Sequence, residues 1–251
     1  MRTVILLLGA SAIAALIVVR TLAGGGEPVS VLFVGNSYTT SNDLPAVFAD
    51  LASAGGYDAD VGVVALGGAW LRDHVDRGTV RAELSGGDWD YVVLQEQSIV
   101  PASPTERTNA MFPAIRQLAS VASQWDTEPV LYLTWAHRDG FPDVGYTTYE
   151  PMQRAVTQAY ELIADEVGAR VAPVGEAWAV SQSFDLYQSD GSHPTLSGTY
   201  LAASVLYATI FGEDPGEVAH RSNLDTADQL RAIAGRVVLD DRDRWHVPAD
   251  G

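Results

Sequence analysis

The sequence predicts an α/β domain in which helices sandwich a five-stranded parallel sheet. Three observations carry that prediction. Short β-rich apolar runs alternate with longer amphipathic stretches, the pattern of repeated strand and helix units. Glycines and polar residues gather directly after the apolar runs, at the edge where an open parallel sheet binds its ligands. The chain has 251 residues, 47% of them hydrophobic, enough for one full-sized core with no second composition regime.

The first apolar segment stands apart from that pattern. Thr3 to Val19 is almost wholly apolar and is flanked by Arg2 and Arg20. As a helix it would span roughly 25 Å, a little short of a hydrocarbon layer of about 30 Å. Residues 1–23 therefore read as a signal peptide or an N-terminal membrane anchor, with a small-residue pattern at Thr21 and Ala23. Arg2 and the amino terminus outweigh Arg20, which places the following domain outside the cytoplasm. Residues 24–28, beginning Gly24, Gly25, Gly26, read as a linker, and residues 29–251 as the domain.

Within the domain, the run Val29 to Val34 reads as a buried strand that stops at Gly35, Asn36 and Ser37, delivering a serine onto a tight turn. A helix follows over Leu44 to Ala54. The second strand, Ala59 to Ala65, exits at Leu66, Gly67 and Gly68 before a helical stretch from Trp70 to Leu84 that carries His74. The third, Tyr91 to Leu94, exits at Gln95, Glu96 and Gln97 before a helix over Thr105 to Ser123. The fourth, Pro129 to Thr134, exits at Trp135, Ala136 and His137 before a helix over Tyr149 to Val167. The fifth, Arg170 to Val174, exits at Gly175 and Glu176. Helices near Leu196 to Phe211 and Thr226 to Leu239 complete the domain, and the residues after Asp240 read as a polar tail.

Composition narrows the chemistry. Cysteine is absent, which removes thiol nucleophiles, disulfides and thiolate metal sites. All 15 basic residues are arginine and the formal charge is −17, so the surface repels nucleic acid and anionic headgroups. No nucleic-acid partner is expected, and membrane contact only through the N-terminal segment. The five histidines show no HExxH or other metal spacing, so neither a metal nor a cofactor is expected.

What remains is oxygen and imidazole chemistry. In DGSHP, Asp190 and His193 stand three residues apart, just before a Pro194 that could open a helix. Ser37 needs a base to become a nucleophile, a neutral His193 is suited to that task, and Asp190 can hold the imidazole in the right tautomer. The oxyanion needs fixed donors. The Ser37 and Gly67 backbone N–H groups are two candidates, and the side-chain amide of Gln95 or Gln97 a third. Gln95 is favoured because it follows the strand directly. Asn36, Trp135 and His137 are candidates to line the substrate cleft.

The blocks VLFVGNSYT and DGSHPTLSGTYLAA, in this order and with Gly67 between them, resemble the SGNH (GDSL-like) hydrolases, serine esterases, lipases and carbohydrate deacetylases with a flavodoxin-like three-layer α/β fold. The resemblance spans nearly the whole exported domain. It implies Ser37 as nucleophile, Asp190 and His193 as its partners, and Gly67 as an oxyanion donor. The chain departs from the family in having Gly-Asn-Ser for Gly-Asp-Ser, and LQEQS where the family has Gly-x-Asn-Asp. The second departure looks like the acetylesterase variant in which a glutamine amide replaces the asparagine. The resemblance implies hydrolysis of a short acyl group, acetyl by preference, from a carbohydrate or small ester. An O-acyltransferase with the same residues is the first alternative, and an inactive glycan-binding or cell-surface module the second.

Overall fold

The computed structural model describes residues 27–249; the segment read as a signal or anchor lies outside them. Strands β1 (Glu27–Gly35), β2 (Tyr57–Ala65), β3 (Tyr91–Leu94), β4 (Glu128–Tyr132) and β5 (Arg170–Ala172) form one sheet in the order β2-β1-β3-β4-β5. Every pairing is parallel. This is the flavodoxin-like order, in which the crevice between β1 and β3 is the topological switch point. Gly35 pairs with Ala65 and Val34 with Leu94, so the exits of β1, β2 and β3 lie level along one edge. Phe33 and Val31 are buried on one face of β1, Leu32 and Val34 on the other, as a sheet covered on both sides requires.

The helices are α1 (Ser37–Thr40), α2 (Leu44–Ala54), α3 (Leu71–Arg77), α4 (Thr79–Gly86), α5 (Pro104–Glu106), α6 (Phe112–Ala122), α7 (Tyr149–Val167), α8 (Val174–Ala179), α9 (Leu196–Phe211), α10 (Ala227–Leu239) and α11 (Arg242–Trp245). Right-handed crossovers put the connection from β1 to β2 on one face and those running from β2 out to β5 on the other. Accordingly α2, α9 and α10 pack together, while α6 packs on α3, α4 and α7. Helix α9 is buried from Gly198 to Phe211, which its nearly continuous apolar sequence demands.

Several boundaries differ from the sequence expectation, each for a local reason. The helix expected over Trp70 to Leu84 is two, because Gly78 adopts φ +67° and caps α3 before α4 begins. The helix expected from Thr105 contains a π turn over Arg107–Met111. Pro113 follows it, lacking an N–H and crowding the preceding turn. Strand β4 ends at Tyr132 rather than Thr134, and β5 ends at Ala172 because Pro173 cannot extend the ladder. Val174 starts α8 instead. Residues after Asp240 are not a loose polar tail: α11 buries Trp245, whose indole N–H donates to the Val237 carbonyl at 2.9 Å. Among the described residues no helix is long and apolar enough to cross a membrane.

Candidate active site

The Ser37 turn is built from the end of β1. Asn36 caps α1, its Oδ1 accepting from the Tyr38 N–H at 3.1 Å. Its Nδ2 donates to the Ala69 carbonyl at 2.9 Å, tying the turn to the glycine loop after β2. The Asn36 N–H donates to Gln95 Oε1 at 2.9 Å, and the Thr39 hydroxyl donates to the same oxygen at 2.9 Å. A Cβ on Gly35 would overlap Thr39 Oγ1 and Gln95 Oε1, so only glycine lets the strand end close against Gln95. Below it, buried His74 holds the Gly35 carbonyl through Nε2 at 2.8 Å. A carbonyl only accepts, so that nitrogen carries the proton, and burial lowers the His74 pKa and keeps the ring neutral.

The result is a half-buried Ser37 whose Oγ lies 2.9 Å from His193 Nε2. His193 Nδ1 lies 2.6 Å from Asp190 Oδ2, and Asp190 Oδ1 accepts from the backbone N–H groups of Ser192 at 2.9 Å and His193 at 3.0 Å. Burial pushes the Asp190 carboxyl up, but the bond from His193 and the two N–H groups outweigh it and hold its pKa down at about 2. A carboxylate only accepts, so His193 carries its proton on Nδ1. Its Nε2 is then bare and able to take the Ser37 proton. Pro194 stands two residues ahead of α9 and does not open it; the N-cap is Thr195.

Two backbone donors face no competing carbonyl. Ser37 is the first residue of α1, where an N–H has no intrahelical acceptor. Gly67 is exposed in the turn closed by the Ala69 N–H on Leu66 O at 3.0 Å.

Other candidates fall elsewhere. Gln95 is not a free donor: it is fully buried, its Oε1 braces the Ser37 turn and its Nε2 donates to the Glu96 carbonyl at 2.5 Å. Gln97, half-buried, accepts at Oε1 from the Ile99 N–H at 2.9 Å and has only a long Nε2 contact with Ser98 Oγ at 3.4 Å. Its amide keeps a free hydrogen. Asn36 is 2% exposed, so its side chain shapes the turn and does not line a cleft. Trp135 is fully buried between Tyr38 and Trp178, at 4.6 and 3.8 Å between ring centroids. Its indole donates to the Ser192 carbonyl at 2.9 Å, steadying the loop that carries His193. His137 touches Ser98 and Ser192 rather than the serine–histidine pair.

Three contributions were hidden in the sequence. Asn42, at φ +53°, donates from Nδ2 to the Pro194 carbonyl at 3.0 Å and to Thr199 Oγ1 at 2.9 Å, bridging the serine and histidine segments. Glu96 is fully buried, with Oε1 accepting from the N–H groups of Gln97 at 2.7 Å and Leu71 at 3.1 Å. Burial raises its pKa to about 7 against those two bonds. Ser98 and Ser192 both contact His137, and Tyr38 reaches Ser192. The only signal for Asn42 was the Ser-Asn-Asp run, whose residue types tolerate positive φ.

No protein-family model and no curated protein matches the chain. Among solved structures, a protein of Slackia heliotrinireducens described as an SGNH hydrolase is 32% identical, with a TM-score of 0.66 over 73% of this chain and 100% of that one. The chain belongs to the SGNH hydrolases. As a member it is a serine hydrolase of ester bonds, and the flavodoxin-like fold agrees. Two more distant structures share the fold of this SGNH hydrolase. One is a DUF4886 family protein from Bacteroides uniformis, 17% identical, TM-score 0.74, over 86% of this chain and 96% of that one. The other is Axe2, an acetylxylan esterase from Geobacillus stearothermophilus, 17% identical, TM-score 0.55, over 72% and 94%.

Proposed function

We propose that this SGNH hydrolase removes a short acyl group, acetyl by preference, from a carbohydrate or small ester. The observation that carries the proposal is the unbroken chain from Ser37 Oγ through His193 to Asp190, at 2.9 and 2.6 Å. Ser37 attacks the ester carbonyl as His193 Nε2 takes its proton, and Asp190 stabilises the imidazolium. The Ser37 and Gly67 N–H groups hold the oxyanion, with the Gln97 amide as third donor. His193 then protonates the departing alcohol. Water activated by the same imidazole releases the acid from the acyl-enzyme. The short-acyl choice is supported by the acetylesterase-like glutamine block and by the fold shared with an acetylxylan esterase. The apolar segment from Thr3 to Val19 supports export or anchoring, with the domain outside the cytoplasm.

The test is hydrolysis of p-nitrophenyl acetate, butyrate and octanoate by the wild type, Ser37→Ala and His193→Ala. The expected result is turnover that falls with chain length and drops by about a million-fold in either variant. Turnover that persists in Ser37→Ala would remove this serine from the reaction. No turnover in the wild type, with acyl passed only to an added sugar hydroxyl, would favour the transferase.

A further inference from the structure

The catalytic loop is clamped by a second imidazole. Ser192, the residue before His193, has its carbonyl on the Trp135 indole and its hydroxyl 2.7 Å from Tyr38 Oη and 3.2 Å from His137 Nε2. The Arg138 N–H donates to the Gly191 carbonyl at 2.9 Å. His137 Nε2 also lies 3.0 Å from Ser98 Oγ. One ring nitrogen thus faces two hydroxyls.

The surrounding donors allow an arrangement in which both hydroxyls point their hydrogens at the ring. The Ile99 N–H can only donate, so it fixes Gln97 Oε1 and turns the Gln97 NH2 toward Ser98 Oγ at 3.4 Å. Ser98 accepts that bond and has its own proton free for His137. Burial pushes the Tyr38 hydroxyl up to about 12 against its bonds with Ser192 and Ser98, so it stays protonated and can donate to Ser192 Oγ. Ser192 in turn has its proton free for His137. A bare Nε2 offers one lone pair that the two hydroxyl hydrogens can share, whereas a protonated one offers none, so both hydroxyls must turn their hydrogens away and accept instead.

We infer that His137 is a positioning residue for the catalytic loop: its neutral ring, protonated on Nδ1 and bare on Nε2, holds Ser192 in place, and protonation of Nε2 loosens the segment that presents His193 to Ser37. The inference rests on His193 serving as the base. Asp190 favours the charged form of His137 and His193 opposes it, while burial, the largest effect, lowers its pKa below the ordinary value. Arg138 and Asp139 are its charged neighbours on the same segment, and Ser98, Ser192 and the Phe141 ring face it as neutral groups. Two imidazoles must then be neutral for turnover.

The experiment pairs a spectrum with a rate profile, both on the full chain. Histidine-selective ¹⁵N NMR, with His137 assigned by its absence in His137→Gln, should show a neutral ring protonated on Nδ1. A ring protonated on Nε2 overturns the inference whatever the activity. The acid limb of log kcat/KM should steepen from a slope of one toward two in the wild type. It should stay at one in His137→Gln, whose carbonyl accepts without titrating, and in Ser192→Ala, which cuts the link. A merely structural His137 would lower the rate equally at every pH and leave the slope unchanged, which also overturns it. Persistent turnover in Ser37→Ala would refute the proposed function, while the spectrum would still decide the His137 tautomer.

Discussion

Ser37 is placed by side chains of its own turn and of the segment that follows β3. Asn36 caps α1 and ties it to Ala69, while Gln95 takes the Asn36 N–H and the Thr39 hydroxyl. The amide of Asn36 donates as well as accepts, which an aspartate could not do at this position. The two glutamines should therefore separate cleanly. Gln95→Ala strips a buried backbone N–H of its acceptor and should cost about 1–3 kcal/mol or more of stability, lowering the melting temperature and activity together. Gln97→Ala should leave the melting temperature within a few degrees while kcat falls by about 10²–10³ with KM little changed. Thermal unfolding and steady-state kinetics on both variants check this. Both glutamines follow the third strand in the sequence, but their order along the chain does not tell which one the turn consumes. Only the packing of Gly35 against Gln95 does.

At the scale of elements, the serine and histidine segments are joined by a strap. Asn42 and Asp43 are consecutive residues at φ +53° and +56°, a conformation costing an ordinary residue roughly 1 kcal/mol. The cost is met by the two bonds from Asn42 to Pro194 and Thr199. Asn42→Gly keeps the backbone conformation accessible and loses the bonds; Asn42→Ala loses both. Both variants should show kcat lower by about tenfold or more, since the serine and histidine segments drift apart. Only Asn42→Ala should add a stability loss of about 1 kcal/mol, read by urea unfolding. Equal stability and unchanged kcat in both would show that the strap is not needed. The strands and the long helices were legible because each is a run with a period. Single polar residues in loops, such as Asn42, Ser98 and Ser192, have no period, and their roles arise only where segments far apart in sequence meet.

For the whole molecule, the sheet order sets where chemistry can occur, and one buried carboxyl carries a cost for it. Order β2-β1-β3-β4-β5 opens the crevice between β1 and β3, and the serine turn, the glycine loop and the glutamine segment all leave the sheet there. Glu96 links the last two through Leu71 and Gln97, with its Oε2 buried and unpartnered. Its pKa, raised from 4.5 to about 7 by burial, disfavours the charged form in the fold. The stability it allows is fully present below its unfolded value and is lost as pH rises toward 7, by about 3 kcal/mol. Glu96→Gln keeps the accepting oxygen without the charge. Urea unfolding should show the wild type losing stability against this variant between pH 4.5 and 7, with the gap constant above; a gap that does not change with pH would contradict the buried-carboxyl account. Glu96 and Trp245 show the same limit of a sequence reading. A charged residue in a polar exit and a lone tryptophan in a polar stretch look exposed until the fold closes over them.

The central claim is that Ser37, activated by His193, is the nucleophile, and covalent labelling reaches it most directly. Treatment with a fluorophosphonate followed by peptide mass spectrometry should place one adduct on Ser37, with labelling slowed by orders of magnitude in His193→Ala. An adduct on another serine, or equal labelling in that variant, would contradict the account.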